Sequence, residues 1–311
     1  KEEAEKQVNV MLKLYKDFVN EYLALPILTG KKSDKEKFVG ADYTLTLEGI
    51  MPDGKALQMG TSHQLGQNFS KPFEISFLGK DEEQHFVWQT SWGVSWRLMG
   101  ALIMIHGDDK GLILPPKIAP IQVVIIPIYY DEGKKNEIIK VIEKIKEQLD
   151  EKGVRSYVDS SEQHTPGWKF NQWEMKGVPI RVEIGPKDLD NNSLVVVKRN
   201  SRDKKNIAIG DNPADHIMRE LEVIQDELFE SAKMKHSEMI FKSDEYNELC
   251  NRLTNDKGFI KSAWCGSREC EDKIKDETGV DIRLIEDELI SSSCIVCGND
   301  ATNSVYFAKS Y

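Results

Sequence analysis

Long apolar runs are missing from this chain. The longest, Ile118–Tyr130, is broken by two prolines and stays well short of the roughly 20 residues that a membrane-spanning helix needs. Positive charge is in deficit. Lysine and arginine number 42 against 52 aspartates and glutamates, a formal net charge of −10. That argues against a protein that coats nucleic acid by bulk phosphate neutralisation, but leaves room for a local basic face. Cysteine is scarce, at five, and four of these fall in two pairs near the C-terminus. In a chain this large the pattern reads as a metal site rather than a disulfide framework. An initiator methionine is lacking too: Lys1 lies inside a helical pattern, as expected for a piece of a longer protein, so the lack of a targeting segment carries no information.

What is there is the balance of a soluble globular protein, 40% hydrophobic and 30% charged, with 311 residues for about two or three domains. Glu3–Leu23 sets Val8, Leu12, Tyr15, Val19 and Leu23 at helical spacing, ended by Pro26 and Gly30. Lys31–Lys37 reads as a charged, solvated loop. Ala41–Met51 alternates as a strand, Pro52-Asp53-Gly54 is a turn, and Lys55–His63 is expected to return antiparallel. On the return strand Gln58 has the opposite parity to Thr61 and His63. They share a face only if Gly60 makes a bulge, in which case an amide, a hydroxyl and an imidazole converge. The alternative is an ordinary structural histidine.

His85–Ser95 reads as a strand interrupted by Gly93, and at Trp96–Arg97 the period changes. Leu98, Leu102 and Ile105 then share one face of a short helix, stopped by His106-Gly107 and Pro115-Pro116. A mid-strand glycine serves a bulge or a closely approaching ligand. Arg97 stands at a helix N-terminus, where dipole and guanidinium both favour an anion. A planar group beside a polyphosphate would fit there; a core strand with one exposed arginine is the plain alternative.

Ile118–Glu222 alternates strand and helix: strand Gln122–Ile128, helix Lys134–Lys152, strand Val154–Val158, helix Pro166–Lys176, strands Ile180–Ile184 and Leu194–Lys198, helix Asp215–Phe229. The expectation is an α/β layer with a mixed sheet. Between Arg181 and Lys205 seven basic residues stand against four acidic ones, so phosphate would be met there if the stretch is more than a mixed surface loop. Ser231–Tyr311 reads as a third unit. Its Cys265-x4-Cys270 and Cys294-x2-Cys297 supply four thiolates, the closed set of a structural zinc site, with a reduced or redox-active set as the alternative. Cys250, in a helical pattern, reads as a buried thiol.

One block is far more specific: Gln58-x-Gly60-Thr61-Ser62-His63-x-Leu65-Gly66-Gln67-Asn68-Phe69-Ser70. Lys37-Phe38 and Asp42-Tyr43-Thr44 precede it. Ser91-Trp92-Gly93, Leu114-Pro115-Pro116, Ala119-Pro120-x-Gln122-Val123-Val124-Ile125-Ile126-Pro127 and Tyr306-Phe307-Ala308-Lys309-Ser310-Tyr311 follow. Together they resemble prolyl-tRNA synthetase of the archaeal and eukaryotic type over essentially the whole chain. The resemblance implies an α+β and α/β multidomain protein. Residues 1–118 would be the distal half of an antiparallel class II catalytic sheet, 119–230 an α/β anticodon-binding domain with a mixed sheet, and 231–311 a small α+β zinc-containing domain. The first two class II signatures would lie upstream of Lys1, leaving the catalytic domain incomplete.

By the same resemblance the function is that of a proline–tRNA ligase, which activates L-proline with ATP and Mg²⁺ and charges proline tRNA. It would be cytoplasmic, homodimeric and without a membrane partner. Gln58, Thr61 and Ser95 would contact ATP, and Arg97 would hold its γ-phosphate and the leaving pyrophosphate. Many relatives carry two threonines before that arginine, where this chain has Ser95-Trp96. His63, Ser91, Trp92 and Gly93 would line the proline pocket. Arg181, Glu183, Lys187, Asp188, Arg199 and Arg202 would meet the anticodon, the carboxylates accepting from the Watson–Crick edges of guanines. Cys265, Cys270, Cys294 and Cys297 would hold Zn²⁺, and the Tyr311 carboxylate would fold back toward the catalytic site. The rival is a non-catalytic, tRNA-binding or regulatory relative.

Overall fold

In the computed structural model, which describes residues 1–129, 132–210, 212–255 and 258–311, the amphipathic N-terminal segment forms α1 (Glu2–Glu21). Its buried residues, Ala4, Val8, Met11 and Val19, are those its period brings to one face. There follow β1 (Leu28–Lys31), β2 (Tyr43–Ile50), β3 (Ala56–Gly66), β4 (Ser76–Leu78), β5 (Gln84–Phe86), β6 (Gln89–Val94) and α2 (Arg97–His106). The single strand expected over His85–Ser95 is in fact two. β5 pairs with β4 in a ribbon of its own, whereas β6 pairs with β3.

The α/β stretch contains β7 (Val123–Pro127), α3 (Glu132–Glu151), β8 (Ser156–Val158), α4 (Pro166–Met175), β9 (Ile180–Ile184), α5 (Pro186–Asp190), β10 (Ser193–Lys198), β11 (Lys204–Ala208) and α6 (Pro213–Glu238). Among the described residues its sheet runs β11-β10-β9-β7-β8. β8, β7 and β9 are parallel, and β10 and β11 are antiparallel, so the sheet is mixed as expected. Ile138, Ile142, Ile145 and Leu149 of α3 and Ile217, Leu221 and Ile224 of α6 bury one face against Val123, Ile125, Val182 and Val196. Trp173 of α4 covers Val124 and Ile126 on the other.

The chain closes with β12 (Ile240–Lys242), α7 (Tyr246–Asn255), β13 (Phe259–Trp264), α8 (Arg268–Thr278), β14 (Asp281–Glu286) and β15 (Asn303–Ala308). These strands do not form a sheet of their own. One sheet, ordered β12-β13-β15-β14-β1-β2-β3-β6, runs through the first and last stretches of the chain. The compact units are accordingly two: residues 1–21, 25–105 and 233–311 in one, 22–24 and 106–232 in the other. The seam lies between β1 and β14, where Lys31 pairs with Ile285. Gly30 permits the approach, since a Cβ there would sit 2.7 Å from the Ile285 carbonyl oxygen.

Here the expected solvated loop is overturned. Lys32 and Ser33 are buried, and Lys32 Nζ bonds Glu48 Oε1 at 2.7 Å and the Arg283 carbonyl at 2.8 Å. The Arg283 guanidinium reaches Glu48 Oε2 at 3.1 Å, and the Thr46 hydroxyl donates to Glu48 Oε1 at 2.9 Å. Burial pulls the Lys32 ammonium below its ordinary value, against the attraction of Glu48. Glu48→Gln would leave two buried cations facing one neutral amide and should cost about 3–5 kcal/mol in urea unfolding. Lys32→Met leaves Glu48 with Arg283, one charge against one, and should cost distinctly less. Equal losses would mean that charge compensation is not what holds the seam.

Candidate functional site

The parity problem on β3 resolves as a bulge. Leu47 pairs with Gly60 and Glu48 with Gln58, so Met59 is the extra residue. Met59, Gly60 and Ser62 are buried, while Gln58, Thr61 and His63 are the half-exposed positions of that stretch. One face therefore sets Thr44 opposite His63, Thr46 opposite Thr61 and Glu48 opposite Gln58. On the other side of β3, Ser91 stands opposite His63 and Gly93 opposite Thr61.

His63 is held at both ring nitrogens: Thr44 Oγ1 lies 2.9 Å from Nδ1 and Thr61 Oγ1 2.8 Å from Nε2. The Phe38 ring packs on the imidazole at 5.0 Å. Burial pushes His63 below its ordinary value, so the ring is neutral at pH 7 and offers shape and hydrogen bonding rather than charge. Gly93 has open space on its free side; a Cβ there would meet nothing within 4 Å. Nothing in the fold demands glycine at this position, which favours the approaching-ligand reading over the bulge. Trp92 does not share this face. Strand alternation sets it opposite Ser62, whose hydroxyl donates to the Val8 carbonyl of α1 on the other side of the sheet, so Ser91-Trp92-Gly93 is not one continuous wall.

Arg97 opens α2, with its N–H donating to Ser95 Oγ at 3.3 Å. Its side chain is exposed, and among the described residues no carboxylate pairs with it. Ser95 is thus a helix cap as well as an exposed hydroxyl. The rest of the specific block serves architecture. Gln67 donates to the Phe86 carbonyl and Ser70 to the Val87 carbonyl, pinning the β4–β5 ribbon, while Asn68 bonds Asp42 and the Gly40 carbonyl. At the start of β3, Ala56 bridges Ser310, and the Tyr311 ring lies under Lys55 Nζ at 4.9 Å. The C-terminal residues thus lie beside the end of the strand that bears Gln58.

In the α/β unit the expected anticodon residues split. Arg181 Nε and Nη2 both reach Glu183 Oε1 at 2.8 Å, and its guanidinium lies over the Phe170 ring. Arg199 is buried, forked on Asp108 at 2.7 and 3.0 Å and donating to the Glu174 carbonyl. Those hydrogen bonds hold the Asp108 carboxyl down to about 2. Arg199 is therefore a strut; its exposed neighbour Arg202 also pairs with Asp108 at 2.9 Å and with Glu174 at 3.1 Å, and Arg202, Lys204 and Arg181 line a cleft of about 210 Å³. Lys187 and Asp188 sit apart, past the C-terminal end of β9, where Asp188 Oδ2 accepts the Gly185 N–H.

Sequence reasoning passed over a second cleft, of about 300 Å³, past the C-terminal ends of β7 and β8. Tyr129, Glu162, His164 and Lys169 line it, and His164 stacks on Trp168 at 3.6 Å. The usable signal was positional: ligands meet parallel strands at their C-terminal ends, and His164-Thr165-Pro166-Gly167-Trp168 follows such an end.

Comparison with known proteins bears on all of this. Residues 246–311 match the family model described as prolyl-tRNA synthetase, C-terminal, and residues 122–214 that of the anticodon binding domain. A prolyl-tRNA synthetase from Cryptosporidium parvum, solved with L-proline and AMP, superposes with a TM-score of 0.93 at 38% identity, covering 100% of this chain and 67% of that one. This chain belongs to the prolyl-tRNA synthetase family. Proline–tRNA ligases from Cenarchaeum symbiosum and Natranaerobius thermophilus are 50% and 47% identical across 100% of it. The chain spans 65% and 64% of the length of these two synthetases.

Within the stretch that matches the C-terminal model of the family, four cysteines gather. The sulfurs of Cys265, Cys270, Cys294 and Cys297 all lie within 4.8 Å of one another, and Cys265 is 3.7 Å from Cys270 and 3.8 Å from Cys297. A tetrahedron of sulfurs about 2.3 Å from one ion has edges of about 3.8 Å; the two pairs around Cys265 already have that spacing, and the wider pairs would draw in by up to about 1 Å on binding. Cys265 follows β13 and Cys270 lies in the first turn of α8. Cys294 and Cys297 come from a knuckle that docks through the Ile295 N–H on the Ala263 carbonyl. Burial opposes the Cys294 thiolate, yet N–H groups of Cys297 and Val296 outweigh it and lower that thiol; burial pushes Cys265 and Cys270 up. Elemental analysis should find one tightly held ion per chain, and Cys294→Ser should release it, lowering thermal stability. A metal-free chain of unchanged stability would return the cluster to four plain thiols.

Proposed function

We propose that this chain carries the adenosine and proline side of the catalytic face, the anticodon-binding domain and a structural zinc site of a proline–tRNA ligase. The observation that carries the reading is the bulge that lines Gln58, Thr61 and His63 along one face, beside the open position at Gly93 and the exposed guanidinium of Arg97. A structural neighbour that holds L-proline and AMP supports it. The proline carboxylate would attack the α-phosphorus, and the bond from that phosphorus to the bridging oxygen would break to release pyrophosphate. A terminal ribose hydroxyl of tRNA would then attack the prolyl carbonyl, releasing AMP. On this face the chain positions: Gln58 and Thr61 orient the nucleotide, neutral His63 shapes the amino-acid pocket, and Arg97 stabilises charge on the departing phosphates.

The carboxylate on this face, Glu48, has both oxygens engaged by Lys32 and Arg283, so this row does not fit a magnesium site. Cys265, Cys270, Cys294 and Cys297 would hold zinc, whose four-thiolate coordination joins two loops and takes no part in the chemistry. Arg181, Lys187, Arg202 and Lys204 would meet the anticodon stem-loop. Glu183 and Asp188, each with one oxygen already accepting within the protein, would offer the other to a base. Assembly as a homodimer and a place in the cytoplasm rest on family membership.

Proline-dependent ATP–pyrophosphate exchange, run on the parent protein that contains this chain, tests the reading. Arg97→Ala should slow exchange about a hundredfold, on the order of 3 kcal/mol, while proline affinity changes little. Arg97→Lys should recover only part, since a point charge does not reproduce the fork. Exchange at an undiminished rate in Arg97→Ala would remove that residue from the site. Gly93→Ala makes an independent test. With no atom in its way, the added methyl should leave thermal unfolding unchanged and still raise the KM for ATP or proline several-fold; an unaltered KM would mean that no ligand approaches there.

A further inference from the structure

The four-cysteine cluster and the catalytic face lie in one unit, and a buried polar path runs between them. Cys270 is followed in α8 by Glu271, itself buried, whose Oε1 accepts the hydroxyl of buried Ser33 at 2.7 Å. Beside this bond, on the outside of the corner, Lys35 pairs with Asp272. Ser33 is covalently next to Lys32, and Lys32 Nζ holds Glu48. Glu48 in turn takes the Thr46 hydroxyl, and Glu48 and Thr46 are the cross-strand partners of Gln58 and Thr61. Every link is a hydrogen bond, a peptide bond or a register pair.

We infer that Ser33, Lys32 and Glu48 are positioning residues for the catalytic face, and that zinc held by the four cysteines fixes the far end of this path. The inference rests on the zinc reading above. An ion at Cys270 fixes the first turn of α8, and with it the carboxylate that Ser33 must reach. A fixed Ser33 sets the Lys32 backbone, and the ammonium then has one place in which both Glu48 and the Arg283 carbonyl are satisfied. The row Thr44, Thr46, Glu48 against His63, Thr61, Gln58 is thereby held in the bulged register. The metal would act on the chemistry only by keeping these side chains in line, at a distance and without touching substrate.

Amide hydrogen exchange on the 311-residue chain, with one equivalent of zinc chloride and after removal of metal with EDTA, tests this in the wild type and in Ser33→Ala. Zinc should slow exchange about tenfold over residues 44–63 as well as over α8 in the wild type. Ser33→Ala should keep the slowing in α8 and lose most of it over 44–63. Glu271→Gln, which retains an acceptor for Ser33, should behave as the wild type. A merely structural serine would raise exchange equally with and without zinc and leave that ratio unchanged. Zinc that slows α8 alone in the wild type, or full slowing over 44–63 in Ser33→Ala, overturns the path. If Ser33→Ala does not fold, the wild-type comparison decides by itself. A chain that takes up no zinc contradicts the metal reading first, a result distinct from zinc that binds without reaching β2 and β3.

Discussion

The carboxylate of Glu48 is the point on which the larger sheet depends. β1 and β14 meet over a single register pair among the described residues, too short a ladder to hold two halves of a sheet in place. Side chains supply what the ladder lacks: a buried anion between a lysine beside β1 and an arginine on β14. Burying such a cluster is costly, and packed aliphatic side chains would bring comparable stability at less risk. A cluster with fixed donors and acceptors differs from an aliphatic contact in its tolerance of displacement. Sliding β14 by one residue along β1 would carry the Arg283 guanidinium away from Glu48 and turn it to the opposite face, so register is specified where the backbone alone specifies little.

That constraint has a direct bearing on the chemistry proposed for the face. Adenylate formation by positioning and electrostatics tolerates little looseness, because a misplaced contact loses the orientation that it provides. The residues expected to touch ligands on β3 are half-exposed, and those directly across on β2 are buried. Gly93 completes the division from the other side, since it contributes room rather than a group.

Much of this was legible in the sequence, for reasons that can be named. The bulge was legible as a condition, because Gln58 and Thr61 could share a face in no other way, though it was expected at Gly60 and the extra residue is Met59. The cysteine spacing announced a common centre, and the period of α1 announced its buried side. Trp92 was readable too, had the same parity argument been carried on to β6. Lys32 was not. A lysine among Lys31, Asp34, Lys35 and Glu36 carries no local mark of burial, and the arginine that shares its carboxylate lies 251 residues further on. Arg199 was hidden in the same way, since only the fold brings Asp108 to it and makes a strut of a seemingly free cation.

The order of strands also sets an order in time. Synthesis runs from the N-terminal side, so β1, β2, β3 and β6 emerge with the seam side of β1 unpaired and Lys32 and Glu48 lacking Arg283. The partner strand follows only after the whole α/β unit, whose parallel core needs nothing from residues beyond α6 and is free to fold meanwhile. A nascent chain must therefore carry an open sheet edge past the exit tunnel for some 180 residues, at translation rates of about 5–20 residues per second, or on the order of ten seconds or more. Chaperone capture and aggregation compete in that interval, and slow codons between β6 and β14 would lengthen it without changing a single residue of the finished protein.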